Sequence, residues 1–139
     1  MRTLLLASLV AVGFLAVGCG GSEESDRAAA TVEDLDGSAF TATAAQGFEL
    51  DGQVPLTISF DGDTLSVDAG CNSIGGGYEI EEGELRGTEL ASTLMGCPPP
   101  LGEIETATTG MLSDGATATL EGDTLTLDGA DGTRLTLQR

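Results

Sequence analysis

Histidine, lysine and tryptophan are absent from the 139 residues, and five arginines are the only basic side chains. Without histidine or lysine there is no Ser-His-Asp triad, no Cys-His nucleophile pair, no imidazole zinc site and no Schiff-base lysine. Most hydrolase and metalloenzyme chemistries end at that point. Aromatic side chains are also scarce, with four phenylalanines and one tyrosine. Against the five cations stand 23 acidic residues, for a net charge of -18. Nucleic-acid affinity rests on basic side chains displacing counterions from phosphates, so nucleic acid is excluded as a partner. Abundant acids permit a paired-carboxylate enzyme in principle, but no pair is singled out. The expectation is a non-enzymatic protein with no cofactor, no metal and no catalytic residue.

What is present begins with an address. Met1 and Arg2 precede an apolar run from Thr3 to Gly18, shorter than the roughly 20 residues of a membrane span and suited to the core of a secretory signal. Its end, Leu15-Ala16-Val17-Gly18-Cys19, resembles a bacterial lipobox, with Ala16 where leucine is more usual. Residues 1–18 therefore read as a lipoprotein signal peptide and Cys19 as the lipidated residue, the alternative being an ordinary signal that leaves Cys19 a spare thiol. Residues 19–35 are rich in Gly, Ser, Ala and acids, and read as a flexible tether with a reach of roughly 20 to 25 Å, the alternative being that Val32 and Leu35 already begin the edge of the domain. The expected location is the bacterial cell envelope, held to the membrane through lipid on Cys19.

From about residue 36 to 139 the dominant period is two. Phe40, Ala42 and Ala44 alternate with threonines, and Val54, Leu56, Ile58 and Phe60 with polar residues or proline. Leu65, Val67, Ala69 and Cys71 continue the pattern, and weaker strands surround Tyr78 and Ile80, Leu85, Ala116 to Leu120, Leu125 to Leu127 and Leu135 to Leu137. Acid-glycine pairs such as Asp61-Gly62, Glu82-Gly83, Glu121-Gly122 and Asp131-Gly132 separate them, as hairpin turns require. The acids at these turns lack any calcium-loop spacing. One short helix interrupts the strands after Pro98-Pro99-Pro100, with Leu101, Ile104, Thr108, Met111 and Leu112 on one face and Gly115 at its end. The predicted fold is mainly β: about eight short antiparallel strands in a small barrel with one helix.

Three cysteines in an exported chain divide into one lipid anchor and one disulfide, Cys71 with Cys97. Closing a loop of about 26 residues removes denatured-state entropy worth roughly 3 to 4 kcal/mol. A redox-active pair is the alternative, but there is no Cys-x-x-Cys and no nearby cation to lower a thiol pKa. Alternation places Cys71 on the buried face of its strand, while Asn72 and the run Gly75-Gly76-Gly77 read as a turn and a mobile loop.

The segment Gly70-Cys71-Asn72 with Gly76 and Tyr78, answered by Ala91-Ser92-Thr93 leading through Met95 to Cys97, resembles the META domain of the HslJ-like lipoproteins. The likeness covers residues 36–139. It departs from the family pattern at Phe40, where tryptophan is common, at Ile74, where an aromatic often stands, and at Gly96, where alanine is frequent. The resemblance implies a barrel of lipocalin-like topology, no established enzymatic activity, and a link to heat-shock response, envelope stress and antibiotic tolerance. Gly70, Asn72, Gly76, Tyr78, Ser92, Thr93 and Met95 are expected to be structural positions. The leading expectation is a monomeric interaction module that docks an envelope protein through an open edge or the Ile74 to Tyr78 loop. The alternative is a small-ligand carrier, since eight strands is the size at which a barrel interior is just filled or just open.

Overall fold

A computed structural model describes residues 27–139; the signal-like run, Cys19 and the first part of the tether lie outside the described residues. The order is β1 (Ala28–Ala29), α1 (Val32–Leu35), β2 (Ala39–Gln46), β3 (Thr57–Asp61), β4 (Thr64–Asp68), β5 (Ser73–Glu81), β6 (Glu84–Ser92), α2 (Leu101–Asp114), β7 (Ala116–Glu121), β8 (Thr124–Gly129) and β9 (Arg134–Gln138). Strands β2 to β9 form a closed antiparallel barrel, with the β7–β8 pairing completing the ring. Acid-glycine turns join β3 to β4, β5 to β6 and β7 to β8, as the alternation predicts.

The inward faces fill the barrel. Phe40, Phe60 and Tyr78 meet edge to face, with centroids 6.0 Å apart for the first pair and 5.0 Å for the second. Ile58, Leu65, Val67, Leu85, Leu125, Leu127, Leu135 and Leu137 are buried around them. Few large side chains are available, and the interior takes most of them. Strand β2 departs from strict alternation because its register against β9 shifts between Ala42 and Ala44. An extra residue in one strand flips the face that follows, so Ala44 is exposed and Ala45 turns inward.

The predicted single helix is α2, ended by Gly115. A second helix, α1, lies in the segment assigned to the tether. Composition there argues against order, yet Thr31 and Asp34 form a reciprocal capping box: the Thr31 hydroxyl accepts from the Asp34 amide at 3.3 Å, and the Asp34 carboxylate accepts from the Thr31 amide at 3.0 Å. One turn so capped delivers Leu35 to the barrel end, where it is 0 % exposed. The other chain end locks it down. The Arg139 guanidinium lies 5.3 Å from the Phe40 ring centroid and donates to the Asp34 carbonyl at 3.3 Å and the Ser38 hydroxyl at 3.0 Å.

The barrel has one weak seam. Strands β6 and β7 share only the pairs Glu84 with Thr117 and Leu85 with Ala116. On one side β1 pairs with β7, and the Ala30 amide donates to the Ala118 carbonyl at 3.0 Å. Beyond the paired end of β6, α2 packs against the strand. The residues from Ala28 to Leu35 are thus part of the folded unit, ahead of the boundary expected near residue 36.

Tyr78 carries a cost at the centre of this core. It is 4 % exposed, and its hydroxyl has no hydrogen-bond partner among the described residues. Burial, followed by the nearby charges of Asp36, Asp63 and Glu33, raises its pKa above the ordinary 10.0. The folded state therefore holds the phenol proton more tightly than the unfolded chain does. Stability is fully present below pH 10 and falls as pH climbs from the unfolded value toward the raised folded one. Tyr78→Phe should leave stability at pH 7 unchanged or higher by up to about 1 kcal/mol, since a buried unpaired hydroxyl is itself a penalty, and should remove this alkaline loss. Urea denaturation at neutral and alkaline pH reads both; a loss near 2 kcal/mol or more at pH 7 would mean the hydroxyl has a partner.

Candidate functional site

Five of the sequence-selected positions, Cys71, Asn72, Thr93, Met95 and Cys97, meet in a cluster where the end of β4, the end of β6 and the first turns of α2 converge. Cys71 and Cys97 are joined, with Cα atoms 5.9 Å apart. Cys71 does not sit on the inward face of a strand: β4 stops at Asp68, and Cys71 lies half-buried in the bend before β5. Gly70 makes that bend with φ +89°, and a Cβ there would stand 2.0 Å from Val54 Cγ1, so no other residue fits.

Asn72 is 7 % exposed and does not bond its own turn. Its side chain reaches segments 21 to 33 positions away. The Oδ1 atom accepts from the Thr93 hydroxyl at 2.9 Å and from the Met95 amide at 2.7 Å. The Nδ2 group donates to Glu105 Oε2 at 2.9 Å and to the Met95 carbonyl at 3.2 Å, and also lies 3.0 Å from Cys97 Sγ. The Asn72 backbone amide donates to Glu105 Oε1. Asparagine is the residue this place demands, because one planar group must accept on one side and donate on the other. Flipping the amide would set NH2 against the Met95 amide and oxygen against a carboxylate.

Thr93 extends the clamp by accepting from the Ser73 amide at 3.1 Å, so the chain entering β5 and the chain leaving β6 are tied together. Ser92 stands at the exposed end of β6 and donates to the Thr93 carbonyl at 2.7 Å. Met95 has both backbone polar groups bound by Asn72, yet its side chain is 63 % exposed, and that of Leu94 beside it 97 %. The loop is held and its apolar side chains point away from the core.

Gly75, Gly76 and Gly77 do not form a mobile loop; they lie in β5, paired with β4 on one side and β6 on the other. The register against β6 shifts there, with Glu89 at φ 50°. A Cβ on Gly76 would come within 2.8 Å of the Thr88 and Glu89 carbonyls, so glycine is required by the close approach of the bulged strand. Tyr78 belongs to the core and not to the cluster. Ile74 is buried as well, which removes the expected docking loop.

Glu105 is the member that sequence reasoning passes over. It is 8 % exposed, and its carboxylate is held by Asn72 alone among the described residues. The signal is available: 101, 104, 105, 108, 111 and 112 form one face of α2, and a glutamate inside such a stripe must find a buried partner. The two cysteine sulfurs and a Glu105 oxygen lie within 4.8 Å of one another. Free thiolates in that arrangement would suit a metal ion, but sulfurs joined as a disulfide lack the charge that binds one. Chemically the cluster is spent on itself, each strong donor facing an acceptor.

Comparison with known proteins places these residues in a wider set. The model of the META domain matches residues 33–139. Heat shock protein HslJ of Escherichia coli (strain K12) is 32 % identical over 124 residues, covering 88 % of this chain and 86 % of that protein. A protein structure solved by NMR superposes with a TM-score of 0.67 at 32 % identity, over 78 % of this chain and 94 % of its own. An NMR structure from Burkholderia xenovorans shares the fold, with a TM-score of 0.66 at 21 % identity over 100 % of this chain and 98 % of its own.

Asn72→Asp tests the clamp. The substitution keeps shape but loses the donor and sets a second carboxylate against Glu105, and should cost about 3 kcal/mol or more in urea denaturation at pH 7. Adding Glu105→Gln restores a donor and should recover much of that loss. A cost below about 1 kcal/mol for the single variant would show that the cluster contributes little.

Proposed function

The chain belongs to the META-domain family and is related to the heat shock protein HslJ, and on that premise we propose that it is an exported, lipid-anchored, non-enzymatic interaction module of the bacterial cell envelope, connected with envelope or heat-shock stress. The observation that carries the proposal is the loop holding Leu94 and Met95. Two large apolar side chains in water are unfavourable, and a flexible loop would fold them against the barrel. Here the disulfide and the Asn72 side chain hold the backbone, so the side chains stay presented. Residues held in that way suit the centre of a protein contact, where a few large anchors supply most of the affinity.

Export and anchoring are supported by the apolar run ending at Gly18 and by Cys19 in a lipobox-like setting. Neither described helix is long and apolar enough to cross a membrane, and the attachment proposed is the lipid on Cys19. A docking role without catalysis is supported by the polar groups around Asn72 and Glu105, which bind one another. The carrier alternative loses ground to the barrel interior, where aromatic and leucine side chains occupy the space a ligand would need. The stress connection rests on the relative's name alone.

A photoreactive amino acid at position 94 of the full-length chain, irradiated in cells, tests the proposal, with Ser66 on the exposed face of β4 as the control position. A discrete protein adduct in the membrane fraction from position 94 and none from 66 is the expected result, and Cys19→Ala should release the protein from that fraction. Identical adducts from both positions, or none from either, would overturn the docking role.

A further inference from the structure

Beside the held loop runs an external cleft of about 640 Å³, within the roughly 300–1,000 Å³ typical of ligand sites. Phe48 and Glu49, from the connection between β2 and β3, form one wall; Glu103, Thr106 and Ala107 of α2 form the other, and Pro99 lies between. Phe48, Pro99 and Ala107 make the apolar part. Glu49 and Glu103 are exposed at the cleft. Each of the four described arginines pairs elsewhere: Arg27 with Glu121, Arg86 with Glu84, Arg134 with Asp128 and Arg139 with Asp123. No described cation pairs with either glutamate of the cleft.

We infer that this cleft receives a basic segment of a partner protein, one that inserts a large apolar side chain between Phe48 and α2 and sets arginine or lysine against Glu49 and Glu103. The inference rests on the interaction-module proposal and names its partner's chemistry. Charge decides among the occupants. A second copy of a chain with net charge -18 is repelled, as is an anionic lipid surface, and an uncharged apolar partner would strip water from both carboxylates without replacing it. A basic partner is drawn in by the field of the whole domain and matched at the cleft. The extent of the surface favours a peptide segment over a small amphiphile, because the loop that supplies Pro99 also carries the exposed Leu94 and Met95 outside the cleft.

The test uses the full-length chain in nonionic detergent and an amidated ten-residue peptide with Leu-Phe at its centre and two arginines on either side. Control peptides replace the centre with Ser-Ser or the arginines with glutamates. Binding is expected by calorimetry for the first peptide, with NMR amide shifts confined to Phe48, Glu49, Leu94, Met95 and the first half of α2. Glu49→Gln with Glu103→Gln should weaken it roughly three- to tenfold, the range for two exposed charge pairs, and raised salt should act in the same direction. Equal binding of the Ser-Ser peptide, indifference to the double variant, or no binding at about 1 mM peptide would overturn the inference. If the peptide fails while position 94 still gives its discrete crosslink, the basic-partner chemistry falls and the interaction module stands.

Discussion

The structure turns on one side-chain amide. Asn72 holds the end of β6 through Met95 and Thr93, and the beginning of α2 through Glu105, while its own chain runs into β5. Three segments distant in sequence are brought to one point, beside a disulfide that joins two of them. The covalent bond limits how far the segments can part, and the amide fixes how they sit. Chain entropy lowered by the disulfide is lowered in the unfolded state, whereas the Asn72 bonds specify the folded geometry. Both are needed for a loop that keeps Leu94 and Met95 in water.

The location of the clamp follows from the topology. Strands β3 to β6 run on through short connections and β2 reaches β3 through residues 47–56, but β6 reaches β7 only through α2, and the two strands share just two register pairs. A barrel closed so thinly needs its seam held from outside. The β1 segment does this from one side by pairing with β7, and α2 does it by packing on β6. The buried carboxylate of Glu105 fastens α2 to the bend ahead of β5, so the helix that covers the seam is tied to the same point that fixes the presented loop. Arg139, at the other end of the barrel, ties the chain end to α1 and over Phe40 in a comparable way.

Much of the fold was legible because period-two alternation and acid-glycine turns are local signals, and the barrel is built from consecutive hairpins. The proline run and Gly115 bracketed α2 for the same reason. What escaped was non-local or small. Cys71 continued an alternation numerically, but Gly70 ends the strand before it arrives. Three glycines in a row suggested a loop, while β5 uses them to approach a bulged neighbour. The capping box of α1 spans four residues inside a composition that argues for disorder, and only the burial of Leu35 gives it worth. The cysteine pairing could be read from the cysteine count of an exported chain, and Asn72 as a structural position from the family resemblance; the partners of Asn72 could not, since a polar side chain in sequence does not disclose which distant carboxylate or carbonyl it will meet.

Amide hydrogen exchange at Met95 tests the central claim most directly. If Asn72 Oδ1 holds that amide as the geometry requires, Met95 exchanges slowly, at a rate close to that of the amides paired inside β5, although its side chain stands in solvent. Exchange at Met95 near the rate of an unstructured chain would mean the loop is not held, and the account of a presented apolar surface would fail with it.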